Sequence, residues 1–183
     1  MLNQILTFLL ETFLGLFALA LLLRFWLQTM RAPARNPVST FLAALTNWIV
    51  IPARRVVPGL RGIDLSTLLL AWLTKVVLLA ATLALRGLSL GMIAVLVFAL
   101  FDIVRLSLYI LMFAVIAQAV LTWVAPYSPA MPVLNSLVRP FLAPFQRRIP
   151  TIGNVDISPI FLLVVIQILI FIVNSLQGGM VRT

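Results

Sequence analysis

Four long apolar segments dominate the sequence, at residues 2–27, 65–85, 90–124 and 159–176. The second has 21 residues and, at about 1.5 Å of rise per residue, spans the roughly 30 Å hydrocarbon core of a bilayer. Backbone polar groups find no water in lipid, so each segment is predicted to be a helix. The chain is 63% hydrophobic and only 9% charged, which is too little charge for the surface of a soluble domain. An ordinary soluble enzyme, a disordered chain and a secreted disulfide scaffold are excluded, and an integral membrane protein is predicted.

The sequence contains no cysteine and no histidine. Without cysteine there is no disulfide, thiolate metal site or covalent c-type haem attachment. Without histidine the commonest general base, metal ligand and haem axial ligand is absent. No catalytic residue, metal site or cofactor is therefore predicted. The net charge of +9 is interpreted as basic loops facing the cytoplasm, and no nucleic-acid partner is expected.

Most basic residues lie in the loops after the first and third segments: Arg24 at the edge, Arg31, Arg35, Arg54, Arg55, Arg61, Arg139, Arg147 and Arg148. The opposite side has fewer: Arg86 and Arg182, with Arg105 as a third candidate. The positive-inside rule places both loops in the cytoplasm and both termini in the periplasm or exterior. The first segment has no positive n-region and no cleavage site, so a retained helix is expected and not a signal peptide.

An internal repeat relates the two halves of the chain. At an ungapped offset of 92 residues the identical pairs include Pro37/Pro129, Leu42/Leu134, Pro52/Pro144, Arg55/Arg147, Pro58/Pro150, Asp64/Asp156 and Ser66/Ser158. The repeat units are placed at residues 1–91 and 92–183 of a single membrane domain. An even number of spans per unit makes the units parallel. The predicted fold is an all-α membrane protein in which four transmembrane helices form two helix–basic loop–helix repeats.

Each basic loop contains an apolar stretch, at residues 38–51 and 134–145. The first follows Asn36 and Pro37, which is a helix-start signal. Pro140 and Pro144 interrupt the second. Short interfacial or re-entrant helices are expected, pinned by the arginines that follow them. The alternative is a loop that only packs against the spans.

The two loops resemble the repeated signature of the YggT family of small bacterial membrane proteins, which has YlmG relatives in Gram-positive bacteria, cyanobacteria and plastids. The resemblance rests on NP at 36–37, PARRVVP at 52–58, GIDLS at 62–66, RP at 139–140, PFQRRIP at 144–150 and DISP at 156–159. It covers nearly the whole chain in two units. Asn154 departs from the pattern, since the first copy has Gly62 there.

The resemblance implies several processes and no single biochemical activity. They are osmotic or ion homeostasis, cell division, nucleoid organisation and, in plastids, haem attachment to a cytochrome. Because this chain lacks histidine and cysteine, it has no usual haem-ligating side chain except methionine.

Two arginine pairs, Arg54-Arg55 and Arg147-Arg148, occupy similar places in the two loops. One interpretation is that they fix the topology and reach anionic headgroups, each contributing roughly 1 kcal/mol near the surface. The other is a specific anion or phospholipid-headgroup site near helix N-termini. The predicted partners are the lipid bilayer, anionic phospholipid headgroups, and either further copies of the chain or another membrane protein.

Two acids, Asp64 and Asp156, stand just before the second and fourth spans. An acid near a helix start complements the helix dipole, and Ser66 or Ser158 can serve as the cap. A salt bridge to a neighbouring arginine is compatible with this role. The alternative is a role as an ion ligand.

Five polar side chains lie inside the predicted spans: Glu11, Lys75, Asp102, Arg105 and Gln167. The offset places Glu11 and Asp102 at nearly the same depth, and it makes Gln167 the counterpart of Lys75. Arg105 follows Asp102 by three residues on one helical face. Charges inside a membrane are costly and indicate function unless they pair internally. Two interpretations stay open: Glu11 or Asp102 pairs with Lys75 or Arg105, or these side chains form a polar pathway or a docking face for another transmembrane segment.

The sequence has no phosphate-binding loop, dinucleotide-binding glycine motif or Ser/His/Asp constellation. The predicted function is a non-enzymatic membrane scaffold or assembly factor, linked to the envelope, division or osmotic homeostasis. The alternative is a small oligomeric channel or transporter subunit for ions or osmolytes, with a path lined by Glu11, Lys75, Asp102 and Gln167. Four spans form a thin bundle, so a channel would need several copies.

Overall fold

The computed structural model describes residues 1–33, 36–59, 62–148 and 156–181, apart from the last side chain. In these ranges the chain forms six helices: α1 (Leu2–Thr29), α2 (Pro37–Val56), α3 (Leu65–Leu85), α4 (Met92–Val124), α5 (Met131–Gln146) and α6 (Ser158–Val181). The all-helical fold class is therefore confirmed. Five residues that were named above from the sequence lie outside the described ranges: Arg35, Arg61, Pro150, Asn154 and Arg182.

Four of the described helices, α1, α3, α4 and α6, are long and apolar enough to cross a membrane. They match the four predicted spans and indicate a multi-pass membrane protein. α4 begins two residues later than predicted, with Gly91 as its N-cap, and α6 runs past residue 176 to Val181. α4 passes Asp102 without a break, and its 33 residues extend about 50 Å, which exceeds the roughly 30 Å core.

α2 and α5 confirm the helices predicted in the two loops, and both are longer than the apolar stretches. α2 begins where the Asn36 side chain accepts the backbone N–H of Ser39 at 2.7 Å. Both helices carry prolines near their C-terminal ends: Pro52, Pro140 and Pro144. Proline removes a helical hydrogen bond, and each helix ends within four residues of its last proline. An interfacial or re-entrant position for these helices stays a prediction.

The two short helices bury faces that overlap in part. α2 buries Leu42, Thr46 and Val50, about one residue per turn. At the offset of 92 residues, α5 buries Val138 and Leu142, but it also buries Val133 and Leu137, whose counterparts in α2 are exposed. The repeat seen in the sequence is therefore repeated only in part in the packing.

Within each half the two long helices pack along each other and the short helix contacts both. The halves meet where α3 packs on α4, and where α1 packs on α4 and α5. α3 therefore lies between α1 and α4, whereas α6 contacts only α4 and α5 among the described residues. The contacts follow the predicted repeat, while the unit boundary between residues 91 and 92 stays a prediction.

The buried apolar side chains form two clusters. One joins α1 to α2, α3 and α4 and includes Leu21, Val50 and Ala71. The other joins α1 to α2, α4, α5 and α6 and includes Leu27 and Val138. α1 contributes to both clusters and so connects the two halves.

Candidate functional site

Asp64 is the one charged side chain among the described residues that is buried, with 2% of its surface exposed. It caps α3: its carboxylate accepts the backbone N–H of Thr67 at 3.3 Å and the hydroxyl groups of Ser66 and Thr67. Arg54, near the end of α2, donates to the same carboxylate through Nε at 3.1 Å and through Nη2. Nη2 of Arg54 also donates to Gln28 Oε1 of α1 at 2.9 Å. The cap and the salt bridge therefore coexist and join three helices.

The charge state of Asp64 follows from these contacts. Burial acts to raise the pKa of its carboxyl, while hydrogen bonds from Arg54, Ser66 and Thr67 and the charge of Arg54 act to lower it. The hydrogen bonds prevail, and the pKa falls from 3.8 to about 2. Asp64 is therefore ionised at neutral pH and paired with Arg54, whose side chain remains 40% exposed.

The second repeat keeps the contact without the charge. Gln146, at the offset position of Arg54, donates to Asp156 Oδ2 at 2.7 Å. Asp156 Oδ1 accepts the backbone N–H of Ser158 at 2.9 Å. Burial acts to raise the pKa of Asp156, but these hydrogen bonds hold it below its usual value. Asp64 and Asp156 therefore occupy equivalent positions, each at the start of a helix. Among the described residues, Asp64 forms an ion pair and Asp156 does not.

Arg24, five residues before the end of α1, makes further polar contacts within the first repeat. Its Nη1 donates to Thr46 Oγ1 at 2.6 Å and to Asn47 Oδ1 at 2.8 Å, both in α2. The sequence pattern marks Arg24 as a topology signal and does not reveal this contact. The sequence signal for this contact is an arginine inside the first apolar segment and a Thr-Asn pair inside the apolar stretch at residues 38–51.

Arg24 and Arg54 line one cavity of about 420 Å³ at the junction of α1 and α2. The rest of its described wall is neutral: Leu27, Gln28, Ala32, Ser39, Leu42 and Ala43. Since the two arginines are the charged side chains of this wall, the cavity has a positive potential and suits an anion.

The other arginines of the predicted headgroup site, Arg55, Arg147 and Arg148, are exposed. They form no ion pair with the residues that the structure describes. The structure therefore separates Arg54, which has an acidic partner and lines a cavity, from these three. A headgroup role for all four stays a prediction.

Glu11 lies in the first half of α1 and pairs with Arg86, at the C-cap of α3, at 3.5 Å. Both side chains are about half exposed, 52% for Glu11 and 60% for Arg86. Nearby, Asn3 Nδ2 donates to the Leu85 carbonyl at 3.0 Å. Glu11 thus helps to join the first turns of α1 to the last turn of α3, and its partner is neither Lys75 nor Arg105.

Asp102 forms an ion pair with Arg105, one turn further along α4. This is one of the pairings that the sequence left open. Arg105 also donates to Asn174 Oδ1 and Gln177 Oε1 of α6, at 3.3 Å each. The cluster therefore connects α4 to α6.

Lys75 lies at the middle of α3 and is half-buried. Its repeat counterpart Gln167 is exposed on α6. Within the described ranges neither side chain has a hydrogen bond or ion pair. Because Glu11 and Asp102 have other partners, no described contact brings the four side chains of the predicted path together.

The chain is similar to the proteins of one known family. The model of the family described as CCB3/YggT matches residues 3–85 and again residues 97–177. An uncharacterized protein of Pseudomonas aeruginosa is 36% identical, over 97% of this chain and 92% of its own length. The uncharacterized protein YggT of Escherichia coli K12 is 34% identical, over 90% of this chain and 86% of its own length. No solved structure matches the chain significantly.

Proposed function

The chain belongs to the CCB3/YggT family, and from that premise we propose that it is a non-enzymatic membrane scaffold that binds further copies of itself side by side. The observation that carries the proposal is the uncovered face of α6 around Gln167. The process that the scaffold serves, at the envelope, in division or in osmotic homeostasis, stays a prediction.

Gln167 stands nine residues after the start of α6, about 14 Å along the helix and near the middle of a hydrocarbon core of about 30 Å. Its carboxamide offers two N–H donors and an oxygen acceptor. In lipid these groups find no water, so a neighbouring helix is the usual source of partners. The face around Gln167 is therefore suited to bind a transmembrane helix.

Repeat symmetry identifies that helix. In α3, which lies between α1 and α4, Trp72 and Lys75 are half-buried, and Trp72 Nε1 donates to the Leu96 carbonyl of α4 at 3.2 Å. Their offset counterparts in α6, Val164 and Gln167, are exposed. Since α1 is the counterpart of α4, the helix that repeats the α3–α4 contact on α6 is α1 of a second copy.

The α1 surface is available for this contact. Ile5, Phe8 and Phe13 are 56%, 66% and 69% exposed in the single chain. In the most apolar window of each span, 22% of α1, 17% of α3, 28% of α4 and 11% of α6 are buried, so α6 is the least covered of the four. A contact of α6 with α1 of the next copy is head-to-tail, and such contacts either close into a ring or continue as an open row of copies.

Single cysteines can test this contact, because the chain has none of its own. Gln4 and Val164 are the offset counterparts of Leu96 and Trp72. We expect a Gln4→Cys chain and a Val164→Cys chain, co-expressed in native membranes, to be linked into a mixed dimer by a short membrane-permeant bis-maleimide, which reaches beyond the roughly 7 Å limit of a direct disulfide. Leu162→Cys is the matched control, because that position is 4% exposed and faces the bundle. Equal linking at positions 162 and 164, or no mixed dimer, would contradict the proposal.

A channel is the alternative, and Lys75 favours it. A charged side chain that is half-buried at mid-span without a described partner is costly unless it meets water or a counter-charge. Ion flux through proteoliposomes separates the two functions. Flux that changes in Lys75→Gln supports a channel, whereas linked copies that carry no flux support the scaffold.

We place the scaffold in the bacterial inner membrane, with the C-terminal ends of α2 and α5 on the cytoplasmic side. The support is the charge distribution: Arg54, Arg55, Arg147 and Arg148 cluster at these ends. The positive-inside rule relates such clusters to the cytoplasmic face.

A further inference from the structure

We propose that the chain holds one anionic phospholipid between α1, α2, α4 and α5. Its phosphate would lie in the cavity lined by Arg24 and Arg54, and one acyl chain in the apolar groove beside it. This site is separate from the face around Gln167, and it does not depend on self-association.

Arg24 carries a positive charge that no described ion pair balances. Its described partners are the hydroxyl of Thr46 and the amide oxygen of Asn47, both neutral and both reached through Nη1. Nε and Nη2 have no hydrogen bond to the described residues. This half-buried guanidinium therefore has no ion pair with the described residues, and it has donors to spare for an anion.

The charged residues at this cavity leave a surplus of positive charge. Arg54 gives Nε and Nη2 to Asp64, and Nη1 has no hydrogen bond to the described residues. Arg24, Arg54 and Asp64 together carry two positive charges and one negative charge. The surplus of one positive charge matches the single negative charge of a phosphodiester.

The apolar groove beside the cavity distinguishes a lipid from a free anion as the ligand. Its volume is about 640 Å³, and its lining comes from α1, α4, α5 and the start of α2. Leu27 lines both the groove and the basic cavity, and the adjacent residues Val38 and Ser39 line one each. A molecule with an anionic head and an apolar chain can therefore occupy both spaces at once.

The direction of the groove fits a membrane lipid. Leu27 lies two residues before the end of α1, whereas Leu23 and Leu19 lie one and two turns deeper and line the same groove. The groove thus runs about 12 Å along α1 toward the middle of the span. The head is near the helix end, where headgroups lie, and the chain points into the hydrocarbon core.

The second repeat does not reproduce the site. At the offset of 92 residues, Ile116 stands in place of Arg24, Val138 in place of Thr46, and Gln146 in place of Arg54. One site per chain is therefore expected, and the repeat symmetry of the fold does not extend to lipid binding.

The test is native mass spectrometry of the full chain, titrated with phosphatidylglycerol or phosphatidylcholine. We expect one phosphatidylglycerol per chain and much weaker phosphatidylcholine binding. Arg24→Gln should weaken phosphatidylglycerol binding about tenfold, and Arg24→Lys less than that. Arg55→Gln removes the same charge from an exposed position next to Arg54 and should leave binding unchanged.

The groove has its own variants, which keep the test decisive if Arg24→Gln fails to fold. Ala117→Phe fills the groove and should reduce lipid binding, whereas Ala119→Phe, on the opposite side of α4, should not. Equal losses in Arg24→Gln and Arg55→Gln, or equal binding of the two lipids, would overturn the proposal. So would displacement of the lipid by inorganic phosphate without any effect of Ala117→Phe, which would indicate a free-anion site.

Discussion

The substitution Asp64→Asn tests whether the ion pair at the start of α3 stabilises the bundle. The pKa of Asp64 lies at about 2 instead of 3.8. Because a tenfold change in proton affinity equals about 1.4 kcal/mol, ionised Asp64 contributes about 2 kcal/mol to the free energy of unfolding. Loss of one partner of a fully buried pair costs about 3–5 kcal/mol. Arg54 is 40% exposed, and water can solvate it after the substitution, so about 2 kcal/mol is the better expectation.

Asp156→Asn is the matched control, because Asp156 occupies the same place in the second repeat with neutral Gln146 as its partner. We expect it to lower the free energy of unfolding by clearly less than Asp64→Asn does. The assay is thermal or denaturant unfolding of the purified chain in one detergent, followed by circular dichroism. Equal losses in the two variants would refute the role of the Arg54 ion pair.

The same pair predicts a pH dependence. The folded-state pKa of Asp64 is depressed, so its contribution is complete above about pH 4 and is lost as the pH falls through about 2. The wild-type chain should lose this stability on acidification, and Asp64→Asn should not. Parallel acid unfolding curves for the two proteins would contradict the assignment.

Three further outcomes are expected. Glu11→Gln should change the free energy of unfolding by less than about 1 kcal/mol, because its ion pair is half exposed; a larger loss would mean that the side chain has another partner in the assembly. Arg105→Gln should cost about 1–2 kcal/mol in the same unfolding assay, because Arg105 connects α4 to Asn174 of α6; a neutral result would show that this contact is not stabilising. In right-side-out vesicles, a membrane-impermeant thiol reagent should label Leu88→Cys and not Tyr127→Cys, and the reverse pattern would invert the proposed orientation.

The four spans were predictable from the sequence because their length and hydropathy nearly determine them, and α2 was predictable because Asn36 and Pro37 mark a helix start. The contact of Gln146 with Asp156 also follows the offset that relates it to Arg54 and Asp64. Arg24 was not predictable in the same way, since its partners lie 22 and 23 residues away on another helix whose facing side only packing decides.

The repeat wrongly predicts the same burial for one pair of equivalent side chains. The offset makes Lys75 and Gln167 equivalent, yet one is half-buried and the other exposed. The physical reason is that α3 lies between α1 and α4, whereas α6 lies at the edge of the described bundle. Equivalent positions in the two repeats therefore have different neighbours. This difference supports the proposed contact of α6 with α1 of a second copy.

The oligomeric state of the wild-type chain in native lipids tests the scaffold most directly. Nanodiscs extracted with a polymer, without detergent, can be weighed by mass photometry or native mass spectrometry. Head-to-tail association through α6 and α1 predicts a discrete particle of two or more copies, which Gln167→Leu shifts toward the monomer. A wild-type chain that is monomeric in these nanodiscs would contradict the scaffold.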